Sequence, residues 1–459
     1  MFHARALADW VSATGFDDIP DDVVTATKYR VLDVIGLSLA GLGTDFGRSV
    51  LAAAQAMSPP GPARVWGDGA RLAVTTAAFA NGSLSQAMEF DDTHNESIVH
   101  MSGPSVAAAL ALAEVVPANG RDVIAAVTIG NEISCRVGCI TPGQFHKRGF
   151  HPTGLFAPFG TTYLAGRMLG LDAPQLANAA GIVGSFAAGL LECWVDGTQS
   201  KYLHPGWAAQ SGIAAAYLGR AGTTGPGAVI EGRFGLIESH VQDKDARRDY
   251  ARVADGLGSR WETRKASFKP YPAAHVIHPY IDAILSLRER HGLAPDAVQE
   301  IVVPVASYIL PIVCEPVAEK RRPNTDSHGR VSMQYSLAEA LFHGRLGKDA
   351  YSRESLKNPR ILNLADRVRV EADPSFPGPE RFKGAVKIVM KDSAVYEAVE
   401  EHNRGSAENP MKPEDIVAKF DENAADILDK DRRQRLVDAV LNLETAKGLE
   451  TVLELAVAP

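Results

Sequence analysis

The sequence predicts a mainly α protein with a smaller α/β domain: a large all-helical domain followed by a small α+β one. Three observations carry this reading. The first 265 residues run as helix after helix, rich in Ala and Gly, with glycines where connections would fall. Near Trp261 the texture changes, and β-branched, alternating stretches appear between helices. After Asn409-Pro410 the chain returns to helical patterns. The expected organisation is a helical domain over 1–265, an α/β domain over 266–400 and a helical segment over 401–459 that packs back on the first domain.

The elements follow in order. A helix begins after Pro20, where Asp21 can cap it. It carries Val23, Val24, Tyr29, Leu32, Ile35 and Leu39 and stops near Gly41. Further helices are expected at 105–116, 122–138, 153–169, 173–191 and 205–221, where small residues let neighbours approach closely. In the α/β segment, 300–310 (EIVVPVASYIL) and 365–373 (ADRVRVEAD) read as strands, and 384–400 reads as a hairpin turned at KDS. Helices are expected at 280–291 and 332–342, and in the tail around 414–420 and 432–443.

Composition narrows the function. The chain has 459 residues, 46% hydrophobic and 22% charged, as in an ordinary globular protein. A net charge of −8 argues against nucleic acid or an anionic membrane surface as partner. No apolar run reaches the length of a membrane span. The start, MFHARALADW, lacks the cationic and apolar regions of a signal peptide, so a cytoplasmic location is expected. Cys135, Cys139, Cys193 and Cys314 show neither a disulfide framework nor a zinc spacing and read as buried free thiols.

The chemistry concentrates at 88–104, MEFDDTHNESIVHMSGP, which sets Glu89, Asp91, Asp92, Thr93, His94 and His100 between two small-residue helices. Burying acids and imidazoles at such a junction costs several kcal/mol unless each finds a partner, which marks it as a candidate site. Four more clusters share this character. They are His146, Lys147, Arg148 and His151; Lys201 with His204; Arg264, Lys265, Lys269, His275 and His278 across the apparent domain boundary; and Tyr308 at the end of a strand. In a negative chain, local cations at loop–helix junctions reverse the field and suit a small di- or tricarboxylate. Lys and His are also the usual acids and bases. Each cluster has a plainer reading. Asp91-Asp92 could be solvated or cap a helix, His94 reads as a surface residue, and His100 as a satisfied core histidine. Lys147-Arg148 could be an exposed pair, and Tyr308 a strand tyrosine. Asp91-Asp92-xxx-Glu96 resembles the aspartate-rich Mg²⁺ sites of isoprenoid synthases, but no second carboxylate cluster is well placed, and no HExxH occurs.

In order and spacing these clusters resemble the MmgE/PrpD family. The matching segments are MEFDDTHNESIVHMSGPSVAAALALAE, RGFHPTGLFAPFG, DGTQSKYLHPGWAAQSG, FKPYPAAHVIHPYIDAI and PNTDSHGRVSMQYSLAEAL, with ENPM and KF near the C-terminus. The resemblance implies one large helical and one small α/β domain, a homodimer, and catalysis in the cleft without metal or organic cofactor. Its functional positions fall here on Glu89, Thr93, His100, His151, Lys201, His278 with His275 beside it, and Tyr308. Three spellings depart from the family pattern: Glu89 where Asp is common, His100-Met101-Ser102 for HPS, and DSHGR at 326–330, where the family more often has an acid next to the arginine. The expected activity is a cofactor-free hydro-lyase (dehydratase) acting on a 2-methylcitrate-like acid. His151 or His100 is the expected base and Lys201 or Tyr308 the proton donor. Lys269, His275 and His278 are expected to bind carboxylates, with Asp91 beside them. The alternatives are an iminodisuccinate-type epimerase, a cis-aconitate-type decarboxylase, and a non-catalytic helical scaffold.

Overall fold

The computed structural model describes residues 2–378 and 381–459. The helix Asp21–Leu42 runs through the middle of the larger core, with Val31, Leu32, Ile35 and Leu39 fully buried. Pro20 takes the cap position and Asp21 lies in the first turn, so Asp21 supplies favourable charge rather than the cap itself. The helix ends at Leu42, one residue past Gly41, as expected. A Cβ at Gly41 would collide with the Leu84 carbonyl of the helix Val74–Gln86, so this glycine marks a helix crossing. Ser102–Ala113, Gly120–Gly138 and His204–Arg220 pack on this pair, and Pro152–Met168 packs on those three in turn. Their alanines are buried almost without exception, which is why small residues dominate them.

One helix is shorter than expected. Ala173–Val183 stops at Gly184, and 184–192 continues as irregular chain. A Cβ at 184 would collide with Val229, and one at 189 would press on the His204 ring at 3.2 Å. The alanines that suggested a longer helix here line an irregular crossing.

In the small domain the strand Val298–Val305 is central. It pairs parallel with Val368–Ala372 and antiparallel with Gly384–Met390, which forms a hairpin with Val395–Glu400. The helices His278–His291 and Met333–His343 share a core with this sheet, through Ile281, Ile284, Leu287, Leu337, Leu341, Val303 and Ile388. The strand ends at Val305, and Tyr308 lies in the following tight turn Ser307–Ile309, past the strand rather than at its end.

The tail helices Pro413–Ala424 and Lys430–Leu441 contribute Phe420, Ala424, Leu436 and Val440 to the core that holds Val31 and Leu32. A short ladder, Thr93–His94 against Ala266–Ser267, ties the first chemical stretch to the chain entering the small domain. The four cysteines are free and buried. Among the described residues, no helix is long and apolar enough to cross a membrane.

Candidate active site

The loop Met88–Phe90 leaves the helix Val74–Gln86 with Glu89 at φ 53°, a left-handed conformation that costs a non-glycine residue energy. Three buried cations hold it there. Arg330 Nη1 donates to the Met88 carbonyl at 2.9 Å, Lys269 Nζ to the Glu89 carbonyl at 3.0 Å, and Lys419 Nζ to the Phe90 carbonyl at 2.9 Å. Lys419 also pairs with Asp33 at 2.8 Å and lies over the Phe90 ring. Strain of this kind persists only where surrounding contacts over-determine it.

The side chains on this loop form an alternating charge array. Lys201 Nζ lies 2.5 Å from Glu89 Oε1. Lys269 Nζ lies 3.8 Å from Glu89 Oε2 and 4.0 Å from Asp91 Oδ1. Burial alone would raise the Glu89 carboxyl, but Lys201 and Lys269 outweigh it and hold it below its usual range. Asp91 behaves alike: burial opposes ionisation, and His100 and Lys269 bring it down to about 2. Lys269 is lowered by burial against the pull of Asp91 and Glu89. Its ammonium therefore holds pocket acids and backbone, a structural engagement beside the expected one with substrate.

His100 is set by three contacts at Nδ1: Asp91 Oδ2 at 3.2 Å, the Asp92 carbonyl at 3.0 Å and Thr93 Oγ1 at 3.3 Å. Two of these accept only, so the proton sits on Nδ1, and Nε2 makes no hydrogen bond among the described residues. The His100 backbone N–H donates to Thr153 Oγ1 at 3.0 Å, fixing the ring's base. Asp92 turns away. It takes Arg30 Nη1 at 2.6 Å and the Ser102 hydroxyl at 2.6 Å, a buried structural pair.

His151 occupies the cap position of the helix Pro152–Met168, its ring 5.5 Å from that of His100. Its Nδ1 lies 2.8 Å from His204 Nδ1, and its Nε2 is buried without a partner. Burial, then Lys201 and His204, hold its imidazole well below the usual value. His275 and His278, with rings 4.9 Å apart, are polarised oppositely. Asn403 Nδ2 donates to His275 Nε2 at 2.8 Å, so His275 carries its hydrogen on Nδ1. His278 donates Nε2–H to the Ala273 carbonyl at 3.1 Å, leaving Nδ1 a bare lone pair. Both unpaired Nδ1 atoms are buried, and burial keeps both rings well below the usual value, with His278 next for His275 and Lys269 next for His278. The expected pair of carboxylate binders thus divides into one donor and one acceptor.

Glu89, Asp91, Thr93, His100, Lys201 and Lys269 come together directly, with His151 against His100. Tyr308 lines a crevice of the small domain with Tyr280, Lys383 and Phe382, and Phe382 meets His275 edge-on at 5.1 Å. His94 is not a surface residue. It is fully buried, with Nδ1 2.8 Å from Ser97 Oγ and Nε2 3.7 Å from Glu262. With Cys139 these two form a compact group of possible metal donors. Lys265 at 2.9 Å, Arg260 at 3.3 Å and Arg252 at 3.4 Å already neutralise Glu262, and burial pushes the Cys139 thiol up, so the set does not suit a cation. Lys147 and Arg148 are exposed. The sequence reading did not anticipate Asn403, Lys419, Asp33 or the use of Arg330. The ENPM/KF and DSHGR segments were the only signals near them.

Residues 5–249 match the MmgE/PrpD N-terminal domain and residues 271–445 the MmgE/PrpD C-terminal domain. The chain is 28% identical over 474 residues to a cis-aconitate decarboxylase of Aspergillus terreus, covering 99% of this chain and 95% of that one. It is 27% identical over 461 residues to the cis-aconitate decarboxylase of Homo sapiens, covering 96% and 92%. It is 23% identical over 453 residues to the 2-methylcitrate dehydratase of Salmonella typhimurium, covering 90% and 88%.

Proposed function

This chain belongs to the MmgE/PrpD family, and on that footing we propose that it is a lyase forming a carbanion beside a carboxylate of a small di- or tricarboxylate. One observation carries the proposal. At a single buried junction two ionised acids each hold a proton-bearing partner, Lys201 on Glu89 and His100 on Asp91, with His151 alongside. Such an array can hold carboxylates, stabilise developing negative charge and deliver or take a proton without a further group.

Decarboxylation of a cis-aconitate-like acid is the first reading. Relatives bearing that name align over 96–99% of the chain, which moves the emphasis away from the dehydration expected from sequence. In this step the bond to the leaving carboxylate breaks and CO₂ departs. The electron pair spreads into the unsaturated system next to a retained carboxylate, and a proton from His151 Nε2 or Lys201 Nζ reaches the carbon. Ionised Glu89 and Asp91 disfavour a neighbouring substrate carboxylate and so favour its loss as neutral CO₂. The His275 Nδ1–H and the lysines supply the cationic and donor contacts for the groups that stay.

Dehydration of a hydroxylated acid is the second reading. It is favoured by the bare His278 Nδ1 beside the His275 Nδ1–H, a donor and acceptor that together fit a hydroxyl. Proton NMR in D₂O with cis-aconitate and 2-methylcitrate separates the outcomes. Released CO₂ with solvent deuterium on carbon means decarboxylase, a new alkene from the hydroxy acid means dehydratase, and deuterium at a stereocentre without either means epimerase. No turnover of any small polycarboxylate would reject the lyase reading.

A further inference from the structure

We propose that His204 is a positioning residue that moves protons between His151 and solvent, so that His151 can act in a buried pocket without itself holding charge. The proposal rests on the reading above, in which His151 exchanges a proton with substrate. The two Nδ1 atoms stand 2.8 Å apart, and neither ring nitrogen can bond to the other unless one of them carries a hydrogen. If His204 donates, His151 bears Nε2–H towards the pocket and is an acid. If His151 donates, its Nε2 is a lone pair and it is a base. The position of one shared proton decides the role.

The surroundings suit a relay. His151 is 1% exposed, whereas His204 is only half-buried at the start of the helix His204–Arg220. Gly189 seats both rings. Its carbonyl accepts the His151 backbone N–H at 3.0 Å, and its missing side chain leaves room for the His204 ring. Lys201, His100 and His146 face the pair and oppose a positive charge on His151, as burial does. His204 is itself held down to about 4 by burial and Lys201, so any charge on it is passed on rather than kept.

In the decarboxylation the proton on His151 Nε2 goes to carbon while the His204 Nδ1 proton crosses to His151 Nδ1. His204 Nε2 takes a proton from solvent, and both rings end neutral. When product leaves, water returns a proton to His151 Nε2, the shared proton moves back, and His204 Nε2 releases one. One solvent proton is consumed per turnover, as loss of CO₂ from a carboxylate requires.

The test compares wild type with His204→Gln, which keeps an amide donor beside His151 but cannot relay, and with Gly189→Ala, which crowds the ring. The expected result for His204→Gln is a fall in kcat of about 100-fold, KM within about two-fold, a larger solvent deuterium effect and partial recovery with added imidazole. Gly189→Ala should fall in the same direction by less. Ring-nitrogen NMR reads the pair without turnover: the wild type should show the shared proton, and His204→Gln should lose it. A His204→Gln enzyme with wild-type kcat, pH profile and isotope effect overturns the relay. So does a spectrum lacking the shared proton. Absence of turnover in the wild type itself would instead reject the lyase reading, leaving the NMR result to judge the pair.

Discussion

Replacing Lys419 by methionine removes one cation from the Met88–Phe90 loop and leaves Asp33 buried without its partner. Two effects set the cost. The Phe90 carbonyl loses its donor, which for a buried group costs about 1–3 kcal/mol. The other effect depends on pH through Asp33, whose carboxyl burial raises from 3.8 to about 6 even with Lys419 present. At about 1.4 kcal/mol per pH unit, this is about 3 kcal/mol against the ionised native form. A raised value means that the residue's contribution is most favourable below 3.8 and is lost as pH rises through 6. Without Lys419 the carboxyl stays protonated to higher pH, and the loss continues. Keeping it neutral at about pH 7.5 costs about 5 kcal/mol, some 2 more than in wild type. At about pH 5.5 both proteins hold Asp33 largely protonated and the difference vanishes. Lys419→Met should therefore destabilise by about 3–5 kcal/mol at pH 7.5 and about 1–3 kcal/mol at pH 5.5. Urea unfolding at the two pH values, with unchanged slopes, measures both. Equal losses, or a larger loss at the lower pH, would refute the reasoning.

Other expectations follow from the same geometry. Lys201→Ala should lower kcat by about 10²–10³-fold, far more than the accompanying fall in Tm explains, because Glu89 loses its 2.5 Å partner but keeps Lys269 at 3.8 Å; steady-state kinetics below the melting range and a thermal melt decide it. Asn403→Leu removes the donor that keeps the hydrogen on His275 Nδ1 and should raise KM by about 10-fold, so an unchanged KM would contradict the assigned tautomer. His151, His275 and His278 are held well below 6.5, and His146 and His204 at about 4, so below about pH 6.5 the unfolded chain binds protons that the native state refuses. Asp33 and Glu339, raised to about 6 and about 7, oppose part of this. With about three net protons taken up on unfolding, stability should fall steeply between about pH 6.5 and 5, and a urea midpoint that is flat or rises across that range would contradict it.

The helical bundle was legible because its signal is local. Small residues recur at helical spacing, and helices such as Gly120–Gly138 and Pro152–Met168 fall within a few residues of their expected bounds. The exceptions are places where a distant residue decides. Ala173–Val183 stops at Gly184, and the glycines that follow are set by Val229 at 184 and the His204 ring at 189, neighbours that do not show in the local pattern. His94 read as a surface residue because its turn is polar, yet the ladder with Ala266–Ser267 carries it inside. In the site, Glu89, Asp91, Thr93 and His100 could be read together because they lie within one short stretch, and Lys201 and His151 because each sits at a break between apolar helices. Lys419 and Asn403 carry no comparable mark. One is a single cation among the 47 Lys and Arg, the other an asparagine in a polar turn, and only folding brings them to Phe90 and His275.

The three carbonyl fastenings of Met88, Glu89 and Phe90 also set a schedule. Their donors lie 242, 180 and 329 positions further along the chain. Contacts of such separation close late, after local helices have formed. A ribosome that has released the whole bundle up to the small domain has not yet released Lys419, so the loop is still missing a fastener while most of the hydrophobic core exists. The shape of the Met88–Phe90 loop is then a property of the finished molecule and not of its larger part, because all three donors are in place only once the segment carrying Lys419 has docked.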